Sequence, residues 1–264
     1  MPSWFDIGIN LPDKRLPFDQ IVPNAIENDV TGMLLIGSHV EQSKQALELT
    51  SSGLATLVAS AGVHPHNAKD VADGYLLQLE QLAKHAKVVA IGECGLDFNR
   101  NFSPANVQLR VFEEQLELAT QVNLPVYLHE RDAFEQQISL LKKYQSRLTG
   151  GVVHCFTGTR EQANAYLELG FYIGVTGWVC DPKRGDQLRD ALADIPLDKL
   201  LLETDSPYLF PKTLKSKSRN NQPANLPHIA KTVADIKDVE LQYLKQSCWR
   251  NTIRFFDLDL SSEV

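Results

Sequence analysis

The chain has 264 residues, 43% of them hydrophobic and 22% charged, the balance of an ordinary globular enzyme. Such a length fits one α/β barrel of the usual ~250 residues better than one sandwich, with a core large enough to need no covalent staple. A net charge of −7 argues against a protein that coats nucleic acid by bulk electrostatics, but leaves room for an enzyme that grips a few phosphates locally through bound cations.

The first residues, Met1-Pro2-Ser3-Trp4-Phe5-Asp6, carry no basic leader followed by an apolar run. No apolar stretch approaches the ~20 residues of a membrane span. A soluble, cytoplasmic protein without a membrane partner is expected. From there, β-favouring apolar runs recur at Phe5–Ile9, Met33–Ile36, Thr56–Ala61, Val88–Ile91, Pro125–Leu128, Gly151–Val153, Phe171–Gly174 and Leu200–Leu202. Segments of helical period lie between them, among them Glu41–Thr50, Leu76–Lys84, Pro104–Val122, Asp132–Lys143, Glu161–Leu169 and Asp186–Leu192. Alternation of this kind implies a parallel sheet covered by helices. Eight strands favour a closed (β/α)8 TIM barrel, one α/β domain over residues 1–264, with a doubly wound open sheet as the alternative. Cys94, Cys155, Cys180 and Cys248 form no CxxC pair and read as reduced thiols.

Metal-capable side chains recur where the apolar runs stop. The third ends in Gly62-Val63-His64-Pro65-His66 and the fourth in Gly92-Glu93-Cys94-Gly95-Leu96-Asp97. The fifth ends in Leu128-His129-Glu130-Arg131-Asp132, the sixth in His154-Cys155-Phe156, and the eighth in Glu203-Thr204-Asp205-Ser206-Pro207. In a parallel barrel these ends share the face that carries active sites. A lone histidine there is more often a hydrogen-bonded structural residue, and a lone carboxylate more often caps the next helix. Convergence of five such ends changes that reading, because buried carboxylates together need a cation to neutralise them.

Ligand chemistry then divides the roles. Glu93 is the natural bridging carboxylate, His129 and His154 offer imidazole nitrogens, and Asp205 offers an oxygen that also accepts a proton from a cation-activated water. Strand alternation turns Cys94 and Cys155 toward the helices if Glu93 and His154 face inward. The same alternation puts Arg131 on the side of His129, either as a phosphate contact or as an ion-pair partner of Asp132. Lys212, Lys215, Lys217 and Arg219 follow the eighth strand and read as a phosphate clamp or as a solvated loop. Phe98, Trp178 and Tyr208 are candidate stacking residues for bases, with packing as the commoner use. His39, His85 and His228 read as surface or capping residues.

These motifs, together with Ile91-Gly92-Glu93-Cys94-Gly95-Leu96-Asp97-Phe98, His154-Cys155-Phe156-Thr157-Gly158 and Leu202-Glu203-Thr204-Asp205-Ser206-Pro207-Tyr208, resemble the series of TatD-type metal-dependent deoxyribonucleases over nearly the whole chain. The resemblance implies an amidohydrolase-like barrel and a divalent-metal nuclease that removes nucleotides from the 3′ end of DNA, favouring single strands, with a role in repair or degradation of DNA. By position, Glu93, His129, His154 and Asp205 resemble the family's metal ligands, and His64 and Glu203 its active-site polar residues. Mg²⁺ is the expected cofactor, with Zn²⁺ or Mn²⁺ as alternatives. DNA is the expected partner, with RNA as a second substrate class, and the chain is expected to act as a monomer.

One stretch departs from the pattern. Where most relatives carry Asp-x-His-x-His, this chain has Asp6-Ile7-Gly8-Ile9-Asn10, so the first cation position loses two imidazoles. One tight cation site on Glu93, His129 and His154, near Asp205, is expected, with a second ion weak or arriving with substrate phosphate. Two other classes fit the same ligands: an amidohydrolase acting on a small amide or lactone, and a non-catalytic binding protein with a degenerate metal site.

Overall fold

The computed structural model describes residues 2–259, so residues 1 and 260–264 of the expected 1–264 domain lie outside the described residues. Eight strands, β1 (Trp4–Ile9), β2 (Val30–Leu35), β3 (Thr56–Ala61), β4 (Val88–Asp97), β5 (Val126–Arg131), β6 (Gly151–Val153), β7 (Tyr172–Val175) and β8 (Leu200–Leu202), pair in sequence order, all parallel. A parallel bridge between Ile9 and Ser206 and a hydrogen bond from Asn10 N to Ser206 O at 2.8 Å bring β1 against the end of β8. That closure excludes the open doubly wound sheet.

The helices are α1 (Phe18–Glu27), α2 (Val40–Leu49), α3 (Tyr75–Ala83), α4 (Ala105–Val122), α5 (Phe134–Tyr144), α6 (Arg160–Glu168), α7 (Asp186–Asp194), α8 (Leu226–Lys237) and α9 (Leu241–Phe255). None of them is long and apolar enough to cross a membrane. α6 starts at a capping box in which Thr159 and Gln162 satisfy each other's backbone N–H. His39 caps α2 by accepting from Gln42 N, the role expected of it.

Burial follows strand alternation into two layers. One cluster, including Met33, Leu35, Leu57, Ala59, Val126 and Leu128, lies between sheet and helices. The other fills the barrel with Phe5, Ile7, Leu34, Ile36, Tyr127 and Leu201, and Phe256 joins it from the chain end. The expected strand near Val88–Ile91 runs on to Asp97, pairing with β5 as far as Asp97 against Arg131. Gly95 permits this: its φ of +136° suits glycine, and a Cβ there would lie 1.9 Å from His129 O. The extension carries Glu93 and Asp97 into the mouth of the barrel on a rigid strand instead of a loop.

Candidate metal centre

Strand ends deliver each side chain. β4 supplies Glu93, β5 supplies His129, and the turns after β3, β6 and β8 supply His64, His154 and the pair Glu203 and Asp205. Three imidazoles converge on one carboxylate oxygen, Glu93 Oε1: His154 Nε2 at 2.8 Å, His129 Nδ1 at 3.2 Å and His64 Nε2 at 3.3 Å. His64, Glu93 and His129 offer ligand atoms all within 4.8 Å of one another. Burial works against the charge of Glu93, but His64 and His154 more than offset it and hold the carboxyl well below its ordinary range.

The imidazoles differ in electrostatics. Burial pulls His64 down to about 4, with Glu93 opposing only partly. Burial also works against the charged form of His154 and of His129. In His154 it is overcome by Glu93 and Glu203, and in His129 by Asp97 and Glu93, so both are raised. His129 Nε2 is buried without a hydrogen bond, 3.4 Å from Asp97 Oδ2. Anionic and imidazole donors crowded around one point, one nitrogen among them unpartnered, fit a divalent cation of the Mg²⁺, Mn²⁺ or Zn²⁺ type.

Glu203 is fully buried and internally bonded. Its Oε1 accepts from Cys155 N at 2.5 Å, and its Oε2 lies 2.9 Å from the Tyr127 hydroxyl and 3.2 Å from His154 Nδ1. Glu203 therefore orients His154 in the manner of a carboxylate behind a ligating histidine. Asp205, at a φ of +54°, accepts from Asn10 Nδ2 at 2.9 Å. Burial raises it to about 7; His154 opposes the rise, while Glu93 and Glu203 add to it.

The β1 side of the mouth is built differently. A bulge between Asp6 and Ile9 turns position 8 inward, where a Cβ on Gly8 would lie 2.3 Å from Glu203 Oε2 and 2.6 Å from the Tyr127 hydroxyl. The room that a ligand at position 8 would need is thus already filled by Glu203 and Tyr127. Asp6 is fully buried, accepting from Gly8 N at 3.1 Å and Thr204 N at 2.9 Å and bonding Thr204 Oγ1 at 2.5 Å. Burial pushes its carboxyl up to about 8, with the Thr204 and Gly8 hydrogen bonds opposing.

His64, Glu93, His129, His154, Glu203 and Asp205 thus meet at one mouth. Arg131 is exposed at the end of β5, and Lys212, Lys215, Lys217 and Arg219 are exposed on the segment after β8. Three contributors were not singled out from sequence. Tyr127 stacks on His154 with ring centroids 4.8 Å apart; its signal was the two-residue spacing to His129 on one strand face. Asp97 bonds His66 Nε2 at 2.7 Å, which only the unexpected length of β4 makes possible. The Cys155 backbone N–H turns toward Glu203 because Cys155 adopts a φ of +47°, a conformation that alternation does not foretell. Cys94 is packed between sheet and helices as expected. Trp178 donates to Arg184 O at 3.1 Å beneath the Arg184 guanidinium, and Phe98 packs against the core, while Tyr208 is exposed.

A family model described as "TatD related DNase" matches residues 5–257. A curated relative from Rahnella sp. (strain Y9602), named "3'-5' ssDNA/RNA exonuclease TatD", is 47% identical over 258 residues, covering 96% of this chain and 98% of the relative. A protein of the same name from Edwardsiella piscicida is 46% identical over 257 residues, covering 96% and 99%. Among solved structures, the TatD homologue YjjV from Escherichia coli k12 superposes with a TM-score of 0.89 at 30% identity, covering 97% of this chain and 98% of that one. A TatD family hydrolase from Entamoeba histolytica gives a TM-score of 0.87 at 28% identity, covering 96% and 98%.

Proposed function

The chain belongs to the TatD-related DNase family, and from that premise we propose that it is a divalent-metal-dependent 3′-5′ exonuclease acting on phosphodiesters of single-stranded DNA, with RNA as a second substrate class. The observation that carries this reading is the convergence of His64, His129 and His154 on Glu93 Oε1 at the carboxyl-terminal face of the barrel, beside an Asp205 lifted to about 7.

Glu93, His129 and His154 would hold the cation, with His64 and Asp205 beside them. When bound, the cation would lower the pKa of a water and polarise a phosphoryl oxygen. Asp205 accepts the proton of the attacking water, its side chain steadied by Asn10. Glu203 keeps His154 in register through Nδ1, and Tyr127 and Cys155 N keep Glu203 in place. His64 sits against Glu93, its Nε2 3.3 Å from Oε1. Mg²⁺ is the proposed ion in function. One tight site is proposed because Gly8 brings no ligand and the space beside it is filled.

Arg131, Lys212, Lys215, Lys217 and Arg219 are proposed to hold the phosphate backbone around that centre, which would let an acidic protein grip an anion locally. The proposed unit is a monomer. A cytoplasmic setting, supported by four free cysteines, and a role in repair or degradation of DNA complete the reading. Incubation with 3′-labelled single-stranded DNA, with and without EDTA, tests it. Metal-dependent release of labelled nucleotides is expected, and EDTA-insensitive or absent release would reject it.

A further inference from the structure

Two aromatic side chains stand exposed on loops that follow strands at the carboxyl-terminal face: Phe102, 54% exposed, and Tyr208, 49% exposed. Phe102 follows β4 and Tyr208 follows β8. In a barrel closed in the order β1 to β8 these loops lie four strands apart, on opposite sides of the mouth. The candidate metal centre, drawn from β4, β5, β6 and β8, lies between them.

Neither ring hangs from a loose loop. The Phe102 ring meets His66 edge-on with centroids 4.7 Å apart, and His66 is anchored to Asp97 at 2.7 Å. His66 in turn lies 4.3 Å, ring to ring, from His64 of the Glu93 cluster. The next residue, Ser103, is fully buried; its hydroxyl donates to His66 O at 3.0 Å and its carbonyl accepts from Gln108 Nε2 at 2.8 Å. Phe102 is therefore displayed from a fixed loop, two ring contacts from the carboxylate at the centre. Across the mouth, Tyr208 N donates to Asp205 O at 2.9 Å, and the Arg15 guanidinium covers the Tyr208 ring at 4.7 Å. Arg15 is itself pinned to Asp13 through Nε at 2.9 Å and a terminal guanidinium nitrogen at 2.6 Å.

Each of the two residues keeps about half of its surface in water, and an unpaired nucleobase would cover it. We propose that Phe102 and Tyr208 form a base clamp across the mouth, each stacking one of the two nucleobases on either side of the scissile phosphodiester. This rests on the nuclease reading and deepens it. Two splayed, stacked bases cannot remain in a duplex, so the clamp selects single strands. It reads only ring faces, so it tolerates any base and either sugar, as stacking platforms do.

The test compares the parent, Phe102→Ala, Tyr208→Ala and Phe102→Trp on two 5′-fluorescent hexanucleotides. One is oligothymidylate and the other has abasic residues at its last two 3′ positions. Anisotropy reads binding, and product release reads turnover. The expected result is roughly tenfold weaker binding and higher KM for each alanine variant on the normal end, with Phe102→Trp close to the parent. The parent should lose both stacks at once on the abasic end, roughly 100-fold, and there the alanine substitutions add nothing. Mn²⁺ affinity should be the same in all four proteins.

Parental binding by both alanine variants, or equal losses on normal and abasic ends, overturns the clamp. A parent that binds neither oligonucleotide also overturns it. Metal-dependent turnover without dependence on the bases rejects the clamp and leaves the nuclease reading standing. Base-dependent binding without turnover rejects the nuclease reading and, with it, the placement of the clamp about a scissile bond, leaving a base-stacking site alone.

Discussion

The two halves of the barrel mouth solve the burial of acids in opposite ways. On the β3–β6 side, Glu93 lies among three imidazoles and is held ionised well below its ordinary range. On the β1–β8 side, Asp6 and Asp205 face backbone N–H groups, Thr204 and the Asn10 amide, and burial lifts them to about 8 and about 7. Neutral hydrogen bonds satisfy lone pairs, but they do not supply the countercharge that a buried carboxylate needs in order to stay ionised. The first half therefore presents an ionised carboxylate among imidazoles, the donor set proposed to hold a cation, and the second presents carboxyls that keep protons near neutrality.

The sharpest way to break the contrast is to remove the first half. Glu93→Ala or His129→Ala should lower turnover by on the order of 10³-fold or more with the fold retained, because the cation site disappears. Circular dichroism and nuclease assays check this, and either variant retaining turnover within tenfold of the parent would contradict it. Asp205→Asn comes next. It keeps the hydrogen-bonding shape beside Asn10 but cannot accept a proton, so a loss of about 10²–10⁴-fold in kcat with metal binding largely preserved is expected. A parental rate would show that Asp205 is not the base.

Asp6 sharpens the second half through stability. In the folded chain it keeps its proton up to about pH 8, while the unfolded chain releases it near the ordinary 3.8. Between these values the unfolded state binds fewer protons, so stability falls as pH rises, by up to about 1.4 kcal/mol per pH unit. This contribution is fully present below about 4 and gone above about 8. Asp6→Asn removes the titration, so its urea-unfolding free energy should decline less than that of the parent between pH 5 and pH 8. Equal declines would mean that Asp6 is not held protonated. The smallest effect lies outside both halves. Replacing Lys212, Lys215, Lys217 and Arg219 by Gln should raise KM severalfold and reduce the salt slope of binding by about 0.7 per lost contact, sparing metal affinity. An unchanged salt slope would remove these residues from the phosphate path.

The halves were also unequally legible in the sequence. Glu93, His129 and His154 stand at the ends of apolar runs, where period-two patterning and parallel pairing bring them together whatever the loops do. The barrel followed from the same runs. What patterning could not convey was conformation within single residues: the glycine that lets β4 run on to Asp97, the bulge that turns Gly8 inward, and the positive φ that aims Cys155 N at Glu203. α1, α8 and α9 were not among the named helical segments either. Tyr127 was visible in principle, two residues before His129, but an aromatic in a strand reads as core until its hydroxyl is seen against Glu203.

Calorimetric titration of the metal-free protein with Mn²⁺ tests the contrast at its root. The account predicts one tight site per chain, abolished by Glu93→Ala and retained in Asp6→Asn. Two equally tight sites in the parent, or a tight site that survives loss of Glu93, would contradict it.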